Sequence, residues 1–459
     1  MSQPLHFDAA LIGTGQAAPP LALSLAKRGE KVVLIEAALV GGTCVNSGCT
    51  PTKTLRKSAR VAHLVRHAAE FGVRVGGFEV DFAAAMTRMQ QLVDGSRSGL
   101  EQSIEKQPNV TLLRGWGSFR GVKEGRFELL AGEQQLTADR VYLNTGTRAF
   151  IPPIPGIDSF PHLDNVSLLQ LREMPRHLVI IGGSYIGLEM GQIFRRLGSE
   201  VTVIETAPRI IGREDAEVSE AIASMLQSEG VTVLAGKPVD RVEAAADGIV
   251  VHVGGSPIRG SHLLVATGRV PNTDKLNLSA AGIEVDERGF IGVNGELRTN
   301  VPGVWALGDI NQRGAFTHTS YQDHQVVLAN HEGGSRSVEE RVTSYAMYTD
   351  PPLGRVGLSE AEARKSGRAT LGVTWQMNAV SRAREEGETA GLLKLLVDAQ
   401  SERIVGACVF GLNGDEVIQV ISNFMATGAS YQVLRDALPI HPTVSEFLPF
   451  VLGRLKPLQ

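Results

Sequence analysis

The sequence predicts an α/β fold built on two copies of a strand, glycine turn, helix, strand unit. Three observations carry that expectation. An apolar run, a turn marked by small residues, a helix-like segment and a second apolar run ending in an acid follow one another at residues 7–36. The same succession returns about 170 residues later, at 178–205. Further short apolar runs at 141–148, 263–272 and 304–310 carry Thr-Gly or Gly-Asp at their ends. Apolar strands alternating with helical patterns make parallel sheets.

In the first copy, AALI leads into Gly13, Gly15 and Ala18, followed by PLALSLAKRG and KVVLIE. Gly13 permits a tight turn, Gly15 lets a pyrophosphate approach the backbone, and Ala18 is small enough for close helix–strand packing. The helix N-terminus supplies amides and a positive dipole end. Glu36 closes the second strand, where a carboxylate can accept ribose hydroxyls. In the second copy, LVIIGGSYIGLEMGQIFRRLGSEVTVIE, Gly182, Gly183 and Gly187 frame the turn and Glu205 is the terminal acid. Ser184 takes the middle-glycine position and is small enough to keep the turn. Glu205 favours NADH by repelling a 2′-phosphate, and Arg209 and Arg213 shortly beyond would offset that repulsion. Two such units suit a duplicated regulatory site or a flavoprotein fed by a nicotinamide; the extra strand ends favour the flavoprotein. Asp309, beside Gly308 at a strand end, is placed to bond a sugar or ribityl hydroxyl.

The 459 residues, 43% of them hydrophobic, allow about three domains with ample core. A net charge of -4, a pI near 6.3 and the absence of any Lys/Arg run argue against nucleic acid or an anionic membrane as main partner. The expected partner is small or uncharged. Every apolar run is broken by Gly or charge well short of the roughly 18 residues of a spanning helix. Three cysteines exclude a disulfide-stapled secreted scaffold, and MSQPLHFDAALIG has no signal-peptide pattern, so a cytoplasmic protein is expected.

GGTCVNSGCTPTK, residues 41–53, sets Cys44 and Cys49 five residues apart directly after the first unit. A zinc site lacks further ligands, because the remaining Cys408 lies in the core-like run IVGACVFG. A static disulfide is disfavoured in a cytoplasmic chain. The stretch also opens a helix whose positive end would lower the pKa of Cys49, and such a thiolate can stand against an electron-poor ring. Near the C-terminus, HPTVSE places His441 five residues before Glu446, a base with a carboxylate to orient it.

Together with GTGQAA, GGSYIGLE, ATGRVPN and ALGDI, these motifs resemble the class I flavoprotein disulfide reductases, the family of dihydrolipoamide dehydrogenase, glutathione reductase and mercuric reductase, over essentially the whole chain. The resemblance implies two Rossmann-like dinucleotide-binding domains, for FAD and NAD(P), and a C-terminal α+β dimerisation domain. The implied bounds are 1–149 for the FAD domain, 150–270 for the NAD(P) domain, 271–340 for the return to the FAD domain and 341–459 for dimerisation. FAD would contact Gly13, Gly15, Ala18, Glu36, Gly42, Thr43, Lys53, Gly117, Thr145, Gly146, Asp309 and Thr317. NADH or NADPH would contact Gly182, Gly183, Tyr185, Ile186, Gly187, Glu205, Val239 and Gly268, with Tyr185 gating the nicotinamide pocket. By the same resemblance Cys49 is the flavin-facing charge-transfer thiol, Cys44 the interchange thiol, and Lys53 pairs with Glu189 beside the flavin. His441, oriented by Glu446, would serve the cysteines of the other subunit, so a homodimer with shared active sites is implied. No resident metal is expected.

Within the family, the tail FLPFVLGRLKPLQ lacks the vicinal cysteines of mercuric reductases, and Pro439-Ile440-His441 departs from the His-x-His-Pro of dihydrolipoamide dehydrogenases. CTPTKTL, FTHTSYQDH and DPPLGRVG resemble the reactive-chlorine-resistance branch, whose members reduce metal ions or disulfides. No lipoyl-like or metal-binding extension precedes Phe7, so a bare reductase core is expected. The expected function is FAD-dependent, NAD(P)H-driven reduction of a disulfide or metal ion. Dihydrolipoamide dehydrogenase is the alternative, and a thiol-based redox sensor or flavin-binding scaffold the alternative of another class. His318 is a candidate for a metal or proton role beside a plain structural one.

Overall fold

The computed structural model describes residues 5–458; the first four residues of the amino-terminal stretch read above, and Gln459, lie outside them. The chain divides into two compact units. One comprises the chain up to Thr54, Ala84–Ile151 and Gly268–Arg341; the other comprises Leu55–Ala83, Pro152–Thr267 and the chain from Val342 on.

The first unit is organised by β1 (Leu5–Ile12), α1 (Ala18–Lys27), β2 (Val32–Glu36), the short α2 (Gly42–Asn46), α3 (Cys49–His67), β3 (Val110–Arg114), β4 (Gly117–Lys123), β5 (Arg126–Ala131) and β6 (Gln134–Leu143). The boundary between the units falls inside α3. The strands lie in the order β3-β2-β1-β6-β5-β4, and Val304–Ala306 also pairs with β6. β1 is parallel to both β2 and β6. All five residues of β2 are buried, as expected for a strand covered on both faces. Side chains alternate across the sheet: Ala10, Ile12, Val33 and Ile35 pack with the β4–β5 hairpin, whereas Ala9, Leu11, Val32 and Leu34 meet Leu21, Ala22 and Leu25 of α1.

The second unit repeats the device with β7 (His177–Ile181), α4 (Tyr185–Leu197) and β8 (Glu200–Glu205) in a four-stranded parallel sheet completed by Thr232–Ala235 and His262–Val265. The repetition reaches individual hydrogen bonds. Gly13 N donates to Ile35 O and Gly182 N to Ile204 O, both at 2.8 Å; Asn144 N donates to Ile12 O and Ala266 N to Ile181 O, again at 2.8 Å. A three-stranded antiparallel sheet over 239–260 follows, then a six-stranded sheet from Ser344–Met347 to Lys456–Pro457. The apolar runs GLLKLLVD and RIVGACVFG form its strands Leu392–Asp398 and Ile404–Phe410.

A buried charge cluster ties this last sheet to the start of the helix Ala216–Ser228. Arg355 Nε donates to Glu214 Oε2 at 2.7 Å and its Nη2 to Asp215 Oδ2 at 3.1 Å, while Tyr345 and Lys394 bond Glu214 and the Asp215 neighbourhood respectively. The Arg355 and Glu214 side chains are 3% and 0% exposed. A guanidinium and carboxylates withdrawn this far from water depend on one another. Arg355→Ala is therefore expected to cost about 3–5 kcal/mol, because two buried carboxylates lose their main partner. Chemical denaturation reads this as a lowered midpoint for the second unit; an unchanged midpoint would show that water replaces the guanidinium without penalty.

Candidate active site

The first glycine turn is shaped by what a side chain there would strike. Gly13 has φ +89° and an added Cβ would lie 2.5 Å from Asn144 O; at Gly15 it would lie 2.6 Å from Asn144 Oδ1. Asn144 was not anticipated from sequence. Its Oδ1 accepts from Ala17 N and Ala18 N at 3.2 Å, and its Nδ2 donates to Leu307 O at 2.8 Å. One buried amide thus joins the start of α1, the end of β6 and the segment after Val304–Ala306. Its trace in the sequence is LNTG, where the second copy has VATG.

Glu36 is held by Thr14 N at 2.9 Å, Thr14 Oγ1 at 2.5 Å and Ala38 N at 2.8 Å. Its carboxylate is thereby aimed as a fixed acceptor at the strand end. Gly42 rests on Gly15, with 3.0 Å from its Cβ position to Gly15 Cα, and Gly117 packs on Ile12 in the same way at 2.5 Å. Thr145 and Gly146 are laced to Asn272: Thr145 Oγ1 donates to Asn272 O at 3.0 Å and Asn272 N to Gly146 O at 3.0 Å. Asp309 sits on the turn Gly308–Asn311 just after the strand, not on the strand itself. Its Oδ2 accepts from Thr147 Oγ1 at 3.2 Å, and burial pushes its carboxyl up against the opposing pull of Arg269.

The cysteine segment folds as two helices with a break between them. Thr43 and Cys44 lie on α2, which Asn46 closes by donating to Val40 O at 2.9 Å and Gly42 O at 3.0 Å. Cys49 begins α3 itself and so stands in its first turn, closer to the positive helix end than a residue preceding the helix would be. Between them Gly48 packs on Thr43 O, 2.8 Å from the position of a Cβ. Cys49 Sγ lies 3.2 Å from Thr317 Oγ1, so the residue expected against the flavin also touches the thiol. Neither Cys44 nor Cys49 is in a disulfide, and both are partly buried. The Cys44 thiol is pushed well above the ordinary cysteine range, first by its hydrogen bond with Cys49, then by burial and by the Cys49 charge; Thr317 and Lys53, one helical turn beyond Cys49, oppose this. The pair therefore gives up its second proton only with difficulty.

In the second unit, Gly182 has φ +114° with Ala266 O at 2.3 Å from its Cβ position, and Gly187 meets Gly182 O at 2.0 Å, the close helix–turn approach expected of the third glycine. Tyr185 and Ile186 open α4 and are half-buried. Glu205 mirrors Glu36: Gly183 N and Ala207 N each donate to it at 2.7 Å. Glu189 Oε1 accepts from Tyr348 N at 2.7 Å. Val239 begins the strand Val239–Ala245. Gly268 belongs to the first unit, where its carbonyl accepts from Phe150 N at 2.9 Å. Arg213, one of the two arginines beyond Glu205, lies over the Tyr345 ring at 5.2 Å, while Arg209 is exposed. His441 Nδ1 and Glu446 Oε2 are 2.9 Å apart, with the His441 side chain 74% exposed and Glu446 12%. His318 is exposed and stacked on Phe316, ring centres 5.6 Å apart.

Residues 7–324 match the family described as pyridine nucleotide-disulphide oxidoreductase, and 343–449 match its dimerisation domain. The chain is 36% identical over 455 residues to the probable pyridine nucleotide-disulfide oxidoreductase RclA of Escherichia coli, covering 98% of this chain and 99% of the relative. It is 33% identical to a mercuric reductase of Lysinibacillus sphaericus, covering 96% and 81%. The solved Cu(II) complex of the HOCl-induced flavoprotein disulfide reductase RclA from Escherichia coli superposes with a TM-score of 0.89 at 34% identity, over 97% of this chain and 99% of that one. The chain belongs to the pyridine nucleotide-disulphide oxidoreductase family. It is an NAD(P)H-dependent flavoprotein disulfide reductase that uses FAD, with two Rossmann-like domains and a dimerisation domain. Among the described residues no helix is long and apolar enough to cross a membrane.

The first unit fits FAD on its own geometry: a glycine cradle that any Cβ would fill, an oriented acid in Glu36 and a half-buried acid in Asp309. A hydrogen bond to a charged group is worth about 1.5–3 kcal/mol, or roughly one to two pH units. Thr317→Val is accordingly expected to raise the first thiol pKa of the reduced enzyme by that amount, read from the pH profile of alkylation. An unmoved profile would mean that Thr317 does not donate to the thiolate.

Proposed function

We propose that Cys44 and Cys49 form the redox-active disulfide through which this enzyme passes two electrons to a disulfide or metal-ion acceptor. The observation that carries the reading is the asymmetry of the pair: Cys49 stands in the first turn of α3, whereas the Cys44 thiol is pushed up first by its hydrogen bond with Cys49 and then by burial, an effect that Thr317, 3.2 Å from Cys49, opposes only in part. When bound, FAD and the nicotinamide supply the two electrons. Their arrival breaks the Cys44–Cys49 bond, leaving Cys49 as thiolate and Cys44 as thiol. Cys44 then needs a base, and the His441–Glu446 dyad provides one whose imidazolium the carboxylate stabilises. The Cys44 thiolate attacks one acceptor sulfur, forming a mixed disulfide, and the departing thiolate takes the proton from His441. Cys49 next attacks Cys44 Sγ, restoring the disulfide and releasing the second thiolate. With a metal acceptor the same two electrons leave through the pair as the disulfide re-forms, and the relative's Cu(II) complex supports including copper among the acceptors tried.

The remaining assignments follow from this scheme. FAD would be held by the first-unit residues named above, Lys53 and Glu189 would serve the flavin as the family resemblance implies, and the nicotinamide nucleotide would be held by the residues named from Gly182 to Gly268. The domain bounds are 1–149, 150–270, 271–340 and 341–459. His441 serves the cysteines of a second subunit in a homodimer; Leu438 and Ile440 beside it are 96% and 78% exposed, apolar surface that a partner would cover. A cytoplasmic location suits thiols that must cycle.

Anaerobic titration with NADH separates turnover from a redox sensor or flavin scaffold. A long-wavelength thiolate-to-flavin absorbance is expected at two-electron reduction and is absent in Cys49→Ser; flavin bleaching without it would sink the disulfide coupling. Rates with lipoamide, glutathione disulfide, Hg(II) and Cu(II) then rank the acceptors, and strong lipoamide activity would overturn the branch proposed here. His441→Ala should lower kcat with a disulfide acceptor by about 10²–10⁴-fold while leaving flavin reduction by NADH at its normal rate. A slowed flavin reduction would place His441 elsewhere in the cycle.

A further inference from the structure

At the opposite end of β1 from the glycine turn, the sheet register assembles a second set of ligand-type side chains. His6 and Asp8 are two apart on β1 and so project from one face. The parallel pairing sets His6 against Thr137, and Phe7 against Ala138 with Ala9 against Arg140, which brings Asp8 beside Asp139. One atom each of His6, Asp8 and Asp139 lies within 4.8 Å of the others. His6 and Gly13 are seven residue steps apart along the strand, about 23 Å, so this cluster is distinct from the cysteine site.

The three side chains are already oriented. His6 Nδ1 is 3.0 Å from Thr137 Oγ1, an outer contact that orients the imidazole; when Nδ1 donates to that hydroxyl, Nε2 is the lone-pair nitrogen. That Nε2 faces Asp139 Oδ2 at 3.5 Å. Asp8 Oδ2 accepts the Lys31 amide at 2.7 Å, leaving its other oxygen uncommitted by that bond. Two cations lie near. The Lys31 ammonium sits 4.9 Å over the Phe7 ring, and Arg126 Nε is 3.4 Å from the outer oxygen of Asp139, Oδ1, rather than from Oδ2. As ion pairs alone, contacts this exposed contribute little to stability.

We propose that His6, Asp8 and Asp139 form a surface site for a divalent first-row transition ion such as Zn2+. One imidazole nitrogen with two carboxylate oxygens is a donor set for borderline ions, with water completing the sphere. Mg2+ and Ca2+ prefer oxygen donors throughout and are disfavoured by the histidine. Bonds of about 2.0–2.2 Å require the ligand atoms to close to roughly 3.4 Å, a movement within rotamer reach of exposed side chains.

The test uses the FAD-loaded, oxidised enzyme, in which the active-site disulfide is closed and offers no thiolate, stripped of metal and titrated calorimetrically with Zn2+. One equivalent should bind, with affinity at least tenfold weaker in His6→Ala and in the isosteric Asp139→Asn. The equivalent should persist in the Cys44→Ser, Cys49→Ser double variant. Flavin content and melting temperature without zinc verify that each variant is folded, and a zinc-dependent rise in melting temperature should be confined to proteins with the site intact. Unchanged affinity in either single variant, loss of the equivalent in the double variant, or equal affinity for Mg2+ would overturn the proposal.

Discussion

Two sulfur atoms this close cannot both carry a charge. Cys44 and Cys49 are hydrogen-bonded to one another, and any two like unit charges about 4 Å apart at an effective dielectric of about 20 repel by roughly 4 kcal/mol, about three pH units of acidity. The site must therefore decide which sulfur ionises, and the surrounding chain favours Cys49. The first turn of α3 places it at the positive helix end, while the Thr317 hydroxyl, 3.2 Å from Cys49, acts on both sulfurs. Cys44, on the five-residue α2, has no comparable helix behind it and holds its proton in contact with Cys49. Gly48 makes this division possible: its packing on Thr43 O leaves no room for a side chain, so the chain can leave one helix and start another within a few residues.

The nucleotide turns show one backbone solution supported by different neighbours. Gly13 to Gly182 and Glu36 to Glu205 are both steps of 169 residues. The turn glycines, the strand-end carboxylates and the amides that hold them correspond bond for bond. They differ in what packs behind the turn. In the second unit Gly187 itself closes on Gly182 O, whereas in the first Asn144 reaches in to hold the start of α1. An amide side chain there binds three segments that come from distant parts of the sequence, and so stiffens the turn nearest the cysteines.

What could be read from the sequence was what depends on local pattern. The alternation of KVVLIE and LVII with glycine turns specifies buried parallel strands, since periodicity and turn chemistry act within a few residues. Cys44, Cys49, His441 and Glu446 could be singled out as candidates because their spacing coincides with a family pattern, and the structure sets Glu446 against His441. Asn144 was not legible, because its role is created by the approach of α1 and the segment after Val304–Ala306. The contact of Thr317 with Cys49 spans 268 residues of sequence. Asp309 was read as a strand-end residue and lies instead on the turn just beyond, where its partner Thr147 is again remote in sequence. The Arg355 cluster escaped for the same reason: charged residues in a sequence read as surface until their partners are found.

On the proposed mechanism, Cys49 is the sulfur whose charge the site stabilises. The most direct measurement is a pH titration of FAD-loaded Cys44→Ser in the absence of any reductant, followed by long-wavelength absorbance. With no partner thiol to share its proton, Cys49 should ionise below the ordinary cysteine range and give the thiolate-to-flavin band at neutral pH, while Cys49→Ser shows none at any pH. A band in Cys49→Ser, or a Cys44→Ser variant that stays without one until alkaline pH, would contradict the account.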